Sequence, residues 1–232
     1  MPATAADQML AIRRARHEEG LVSKDAWIGA YRIVFALAAL FAIGYQFFSG
    51  LDNNPTFRIG NFWSFFTIQS NVLGAVVLLV AAWRINEPGH STTFDLIRGA
   101  AVVYLSTTGV VYGLLLAGYQ EALQTTIPWV DTVLHRVMPI VMVADWLIDP
   151  PSRRIELRDA ATWLLYPFVY MVYSLIRGPL VDWYPYPFLD PGAVGGYAVV
   201  ALYGVGIAAG VSLFIWLVVL LSRRADGPAV AT

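Results

Sequence analysis

Residues 61–83 read NFWSFFTIQSNVLGAVVLLVAAW. The stretch carries no charge before Arg84 and, read as a helix, is long enough to span a bilayer. Small and polar residues nevertheless sit inside it. Ser64, Thr67, Ser70, Asn71 and Gly74 follow the i, i+3, i+4, i+7 spacing of one helix face. In hydrocarbon that face must point at other helices or at a cavity, because lipid offers it no hydrogen bonds. The rest of the chain is therefore expected to form a bundle against this stripe.

Composition agrees. The chain has 232 residues, of which 58% are hydrophobic and 13% charged, about half the charge of a soluble domain. The net charge of −1 gives no electrostatic footprint for nucleic acid. There is no cysteine, which excludes disulfides, thiolate catalysis, cysteine-bound zinc and cysteinyl iron–sulfur clusters. No glycine-rich phosphate loop and no internal repeat is evident. No cofactor is expected.

Six segments have the length and apolarity of a membrane helix: residues 27–49, 61–83, 97–117, 129–147, 160–176 and 194–221. The fold class expected is all-α, a polytopic transmembrane bundle of six spans over 27–221. Polar tails of residues 1–26 and 222–232 flank it. Residues 6–19 can also form an amphipathic surface helix instead of a frayed tail. Positive charge sets the orientation. Arg13, Arg14, Arg16, Lys24, Arg32, Arg84, Arg98, Arg153, Arg154, Arg158, Arg223 and Arg224 fall on one side of a six-span chain. Arg58, Arg136 and Arg177 fall on the other. Both tails are thus expected in the cytoplasm of a cell membrane, with Arg32 snorkelling back to that side. Trp27, Trp83, Trp146 and Trp163 fall at inner ends, and Trp63, Trp129 and Trp183 at outer ends, as in an interfacial belt.

This topology brings distant residues to one depth. Thr67 and His135 each lie about six residues in from the outer face, roughly 9 Å along a helix axis. Arg177 closes the fifth span on that face. Thr67, Asn71, His135 and Arg177 can share the outer half of one cavity. His135 is the one histidine inside an expected span, since His17 and His90 lie in polar flanks. With no second intramembrane histidine, a bis-histidine haem or a zinc site lacks ligands. A lone buried histidine often serves structure alone, but ionisable groups within a membrane are costly and point to function. Asp131, four residues before His135, shares its helical face. It can orient the imidazole or cap the helix N-terminus. Asp145, on the same face, is expected to pair with a loop arginine such as Arg153 or Arg154. Pro139 should bend this helix and free a carbonyl. Tyr104, Thr107, Thr108 and Tyr112 on the third span, with Thr162, Tyr166, Tyr170 and Tyr173 on the fifth, can bond across helices or line a polar cavity. Arg177 can bind an anionic headgroup or carboxylate, or simply snorkel. Gly206 and Gly210 form a GxxxG suited to close packing.

The loop of residues 182–191, DWYPYPFLDP, is extended by three prolines and carries four aromatics. It is either a lid over an outer cavity or an interfacial belt. With FFTIQSN at residues 65–71 and LHRVMPIVMVADW at 134–146, its WYPYPF segment resembles bacterial membrane proteins related to the androgen-induced-gene family. The resemblance covers residues 60–191. Animal members of that family are multi-pass hydrolases of lipid esters with a threonine nucleophile and a histidine. By motif position the resemblance implies Thr67 as nucleophile and His135 as base. Asn71, one turn on, can donate to an oxyanion. The expected partners are membrane lipids, with a fatty-acid ester as substrate. The other reading is a non-catalytic transporter or lipid-binding protein whose cavity uses the same stripe, though transporters often show paired repeats.

The topology is directly testable. Reporter fusions at Gly89 and Arg154 are expected to read cytoplasmic, and those at Gln124 and Leu189 external. An external signal at Arg154 would contradict the six-span arrangement.

Overall fold

The structure, a computed structural model, describes residues 5–87, 89–119 and 127–223, with side chains from residue 25 onward. The side chains of Arg13, Arg14, Arg16, His17 and Lys24 lie outside the described residues, as do Gln124 and Arg224. The described chain is helical, with no strand. Six long helical segments order it: α1 (Ala5–Asn53), α2 (Phe66–Trp83), α3 (Thr92–Leu116), α4 (residues 128–148), α5 (Leu157–Val181) and α6 (Tyr197–Ser222). Asp25–Asn53 of α1, together with α2, α3, α5 and α6, is long and apolar enough to cross a membrane. Their outward faces bear Trp27, Trp83, Leu114, Leu180 and Leu202, the surface expected of a protein solvated by lipid.

α4 holds three charged residues, Asp131, Arg136 and Asp145, too many for an apolar span judged by composition. It runs the length of the bundle all the same. Near its start His135 meets Thr67 at the beginning of α2. Near its end Asp145 meets Arg32 of α1 and Arg98 of α3. Both carboxylates are buried, and Arg136 alone faces outward, 6.0 Å over the Tyr112 ring.

The small-and-polar stripe is buried at every position: Ser64, Thr67, Ser70, Asn71 and Gly74. α1 lies against α2, and Ala36, Ala39 and Ala42 of α1 are fully buried. Small side chains let two backbones approach where lipid supplies no hydrophobic drive. The 61–83 stretch is not one helix, however. A turn of helix at Ile59–Phe62 ends at Trp63, and α2 starts only at Phe66. Thr67 is therefore the second residue of a helix and not a residue six positions inside one.

The end of the bundle that carries the 84–91 and 149–156 connections is tied by charge. Arg32 Nε lies 2.6 Å from Asp145 Oδ1, and its Nη2 lies 2.5 Å from Asp149 Oδ2. Arg98 Nη2 lies 2.9 Å from Asp145 Oδ2 and donates to the Asp149 carbonyl at 2.7 Å. Arg32 Nη1 also donates to the Ala81 carbonyl of α2 at 3.2 Å. His90 stands beside Asp95 and Arg98. Two sequence expectations change here. Arg32 turns inward and is wholly buried instead of snorkelling. Asp145 takes Arg32 and Arg98 in place of Arg153 or Arg154, which are exposed. A carboxylate one turn inside a helix is met more readily by arginines of neighbouring helices than by a loop outside the bundle.

Trp146 and Trp163 also depart from the interfacial belt. Both are buried. Arg98 lies 5.6 Å over Trp146, and the Trp163 ring fills the space above Gly99, where a Cβ would come within 2.4 Å of it. Gly206 and Gly210 do not pack closely either, since a Cβ at each would meet nothing within 4 Å. Gly204 does, against Met171 Sδ at 2.9 Å from a Cβ built there.

Beyond Ala160 and Trp163 in its first turns, α5 buries only a narrow stripe, Tyr170, Ser174 and Gly178. Between α5, α3 and α6 it leaves the cavity described below. The charge knot yields a prediction. Asp145→Ala strands two buried guanidinium groups, which costs about 3–5 kcal/mol when one partner of a buried pair is removed. A large drop in the thermal midpoint of the purified protein is expected, and an unchanged midpoint would show that the knot does not hold the bundle.

Candidate active site

At the opposite end of the bundle four elements converge. The first is the start of α2. Its N-cap position, Phe65, offers no side-chain oxygen, so the first amide groups of the helix need other acceptors. The Thr67 N–H donates to the Tyr186 hydroxyl at 3.2 Å. The second element is the 182–191 loop that carries Tyr186. Pro185 and Pro187 flank that residue and restrict its backbone. The Phe188 ring stacks on the tyrosine at 5.3 Å.

The third and fourth elements are turns of π-helix. Residues Tyr112–Leu116 close α3, and Val133–Val137 interrupt α4. Pro139 accounts for part of the second. It has no N–H to return to the carbonyl four residues back, that of His135, and the widened turn comes just before it. Gly109 lets α3 approach this point, for a Cβ there would meet the Pro139 ring at 3.0 Å and the His135 carbonyl at 3.3 Å. Single π turns inside α-helices are frequent at functional sites. Here they aim Tyr112 and His135 at each other, with ring centroids 4.1 Å apart and planes at 17°.

The side chains form a directed series. Thr67 Oγ1 lies 3.3 Å from His135 Nε2. His135 Nδ1 faces Asp131 twice, its backbone carbonyl at 3.2 Å and Oδ1 at 3.1 Å, with the better hydrogen-bond alignment on the carbonyl. Tyr112 donates its phenol to Asp131 Oδ2 at 2.5 Å. Nδ1 sees only acceptors in these contacts, so the neutral imidazole carries its hydrogen there and leaves Nε2 as an acceptor for the Thr67 hydroxyl. Asp131 thus orients the ring. The Asp131 carboxylate makes no capping hydrogen bond to the first amides of the helix, but it lies in the first turn, where the helix dipole favours a negative charge.

Two other sequence candidates are placed differently. Asn71 is fully buried, but its amide nitrogen donates to the carbonyls of Thr67 at 2.9 Å and Leu134 at 3.1 Å. It fixes α2 to α4 and has no hydrogen left for a ligand. Arg177 donates to Asn61 Oδ1 at 2.7 Å and lies 5.4 Å over the Trp183 ring. It is bound to the 59–62 turn and does not line the cavity.

That cavity, of about 550 Å³, has Thr67 and Tyr186 in its wall, with Thr107, Thr108 and Tyr170 as its other hydroxyls. Those three are engaged elsewhere, with the Val103 carbonyl, Ser70 Oγ and the Ser64 carbonyl. The remaining wall is apolar and carries no charged residue. Its size is that of a small-molecule site. Leu189 and Phe188 line it on the loop side, so the loop is part of the cavity wall and not only a peripheral belt. Burial pushes the Tyr186 phenol above its ordinary value, and its hydrogen bonds to Thr67 pull it back. It therefore keeps its proton at neutral pH.

Among the described residues no cluster of histidine, aspartate and glutamate could hold a metal ion. Comparison with protein-family models, with curated proteins and with solved structures gave no match.

The tautomer is a measurable consequence. Nitrogen-15 spectra of labelled histidine are expected to show His135 protonated at Nδ1, and Asp131→Asn to disturb that signal. A hydrogen on Nε2 would break the Thr67-to-His135 direction described here.

Proposed function

We propose that the protein is a membrane hydrolase of lipid esters, with Thr67 as nucleophile and His135 as general base. The observation that carries this reading is the aligned series Thr67, His135 and Asp131, of which Thr67 stands in the wall of an apolar cavity with His135 and Asp131 buried behind it. An unassisted hydroxyl is a weak nucleophile at neutral pH and needs an adjacent base. A base in turn needs a third group that fixes its tautomer and supports the imidazolium. The gap of 3.3 Å between Thr67 and His135 is one that tightens as substrate binds. The resemblance read from the sequence points the same way.

The chemistry follows from the geometry. An ester carbonyl carbon reaches Thr67 Oγ1 from the cavity. The Oγ1–carbon bond forms, the carbonyl π pair moves onto oxygen, and the Thr67 proton passes to His135 Nε2. On collapse the bond to the alcohol oxygen breaks, and that oxygen takes the proton back from Nε2. Water, with His135 again as base, then hydrolyses the acyl-threonine. Thr67 sits in the first turn of α2, so the positive end of the helix dipole favours the charge that develops. The uncharged wall suits the fatty chain and a neutral ester. A buried carboxylate would meet no cation there, because Arg177 is committed to Asn61. The reading also puts the cavity in the outer half of the bilayer, on the charge asymmetry of the loops.

A protein that only binds or moves lipid would need the cavity but not the oriented imidazole. The test uses a hydroxyl-directed fluorophosphonate and a neutral long-chain fatty-acid ester. Thr67→Ala is expected to abolish both labelling and turnover while the protein still folds. Thr67→Ser is expected to keep part of the activity. His135→Ala should be about as damaging as the threonine loss, because residues acting as a unit are not additive. Were the hydroxyl structural, Thr67→Ala would lower the thermal midpoint and leave any turnover intact.

A further inference from the structure

An acyl transfer places negative charge on the attacked carbonyl oxygen, and a preorganised donor for it is usually the largest single contribution to rate. Asn71 is the residue whose place in sequence suggests that role, but its amide hydrogens are spent on two backbone carbonyls. We propose that Tyr186 is the catalytic donor, with its phenol O–H as the hydrogen bond to the oxyanion. The proposal rests on the reading of Thr67 as nucleophile.

The hydrogens can be counted. A phenol has one hydrogen and accepts through its lone pairs. Tyr186 Oη accepts from the Thr67 N–H at 3.2 Å and lies 3.3 Å from Thr67 Oγ1. The hydroxyl hydrogen of Thr67 is directed at His135 Nε2, which carries none of its own. That leaves Tyr186 as donor to Thr67 Oγ1 in the resting site. The series therefore runs from Tyr186 through Thr67 to His135 and on to Asp131.

Attack changes the balance. Once Thr67 Oγ1 is bonded to carbon it becomes an ether-like oxygen and a poor acceptor. The oxygen that has just gained the π pair is the stronger acceptor, and it develops beside the same hydroxyl, because Tyr186 and Thr67 share one cavity wall. The phenol hydrogen swings from one oxygen to the other and no proton leaves the phenol. The bond is stronger in the transition state than in the ground state, which is the condition for a rate effect. The setting adds to it, since the ring is 6% exposed and a hydrogen bond is stronger where the local dielectric is low. Little reorganisation is needed, because Phe188 stacks on the ring and Phe65 packs at its edge.

The experiment uses the full chain in lipid nanodiscs with a neutral 4-nitrophenyl ester of a long-chain fatty acid. Tyr186→Phe is expected to lower kcat by roughly 10²–10³, the loss typical of one oxyanion donor, with KM little changed. Thr67→Ala is run beside it. Loss of turnover in Thr67→Ala with native kcat in Tyr186→Phe would overturn the role of Tyr186 and leave the nucleophile standing. Native turnover in Thr67→Ala would overturn the nucleophile itself. Tyr186→Phe also removes the acceptor of the Thr67 N–H, so fluorotyrosines placed at position 186 complete the test. They keep the hydroxyl and the ring while raising its acidity. kcat is expected to rise with phenol acidity as long as the phenol remains protonated, and a kcat indifferent to it would overturn the donor role.

Discussion

Asp145 is held between Arg32 and Arg98, and the rest of the bundle is aligned by that carboxylate. Arginine cannot shed its charge inside a membrane, so each guanidinium must find anions and carbonyls within the chain. Arg32 finds Asp145, Asp149 and the Ala81 carbonyl. It thereby joins α1 to α4 and to the far end of α2. Arg98 adds α3 through the other oxygen of the same carboxylate. Four helices are registered against one another at one end by groups whose bonds are short and directional. α2 and α4 run in the same direction from the other end, so fixing this end fixes where Thr67 and His135 meet. A buried ion pair contributes little net stability compared with an apolar replacement. Register is a better account of why this one suits the fold.

Helical geometry then has to be broken to build the site. A regular α4 would carry His135 along the same face as Asp131, and the π turn changes the angle at which the ring leaves the backbone. The second π turn does the same for Tyr112. Each wide turn leaves backbone groups that hydrocarbon cannot satisfy, and the site supplies partners for part of that deficit. Asn71 binds the Leu134 carbonyl inside the turn, and His135 returns a bond to the Asp131 carbonyl. Backbone irregularity and polar side chains are therefore one feature of the structure: the irregularity admits the side chains, and the side chains make it tolerable.

Much of this was legible in the sequence, for a physical reason. The order of the helices was enough to suggest that Thr67 and His135 meet at one end of the bundle, although the six-residue depth counted for Thr67 did not survive, since α2 begins only at Phe66. Burial of the Ser64-to-Gly74 stripe followed from the spacing of its members. What stayed hidden depends on tertiary partners. Nothing local distinguishes a snorkelling Arg32 from one that turns inward, because the difference lies in Asp145, more than a hundred residues away. Trp146 and Trp163 have the sequence position of belt residues, and a facing glycine and an arginine make them core. The break at residues 63–65 carries no proline or glycine to announce it. Tyr186 lay in a loop whose composition suggested an interfacial lid, and its hydroxyl gains meaning only from the uncapped start of α2. The signal that could have pointed to it was the missing cap, since Phe65 precedes a helix with no Ser, Thr, Asp or Asn to receive its first amides.

The same pressure, that a polar group in hydrocarbon is costly without a partner, produces two different centres at the two ends of the protein. At the charge knot, donors are answered by opposite charges, and the network is largely closed on itself. Moving any member leaves a charge exposed, and the result is rigidity. At the other end the network contains one carboxylate, and the further links are an imidazole, a threonine hydroxyl and two phenols. Hydroxyl links can exchange one hydrogen-bond acceptor for another without moving a charge, and the series ends at Thr67 and Tyr186 against open space. Its last acceptor is therefore weakly held, and a carbonyl entering the cavity competes with it on favourable terms. A rigid end that sets register and a compliant end that can re-pair its hydrogens are what the proposed role of Thr67 as nucleophile would require. The sequence divides the two tasks between arginine–aspartate pairs and hydroxyls.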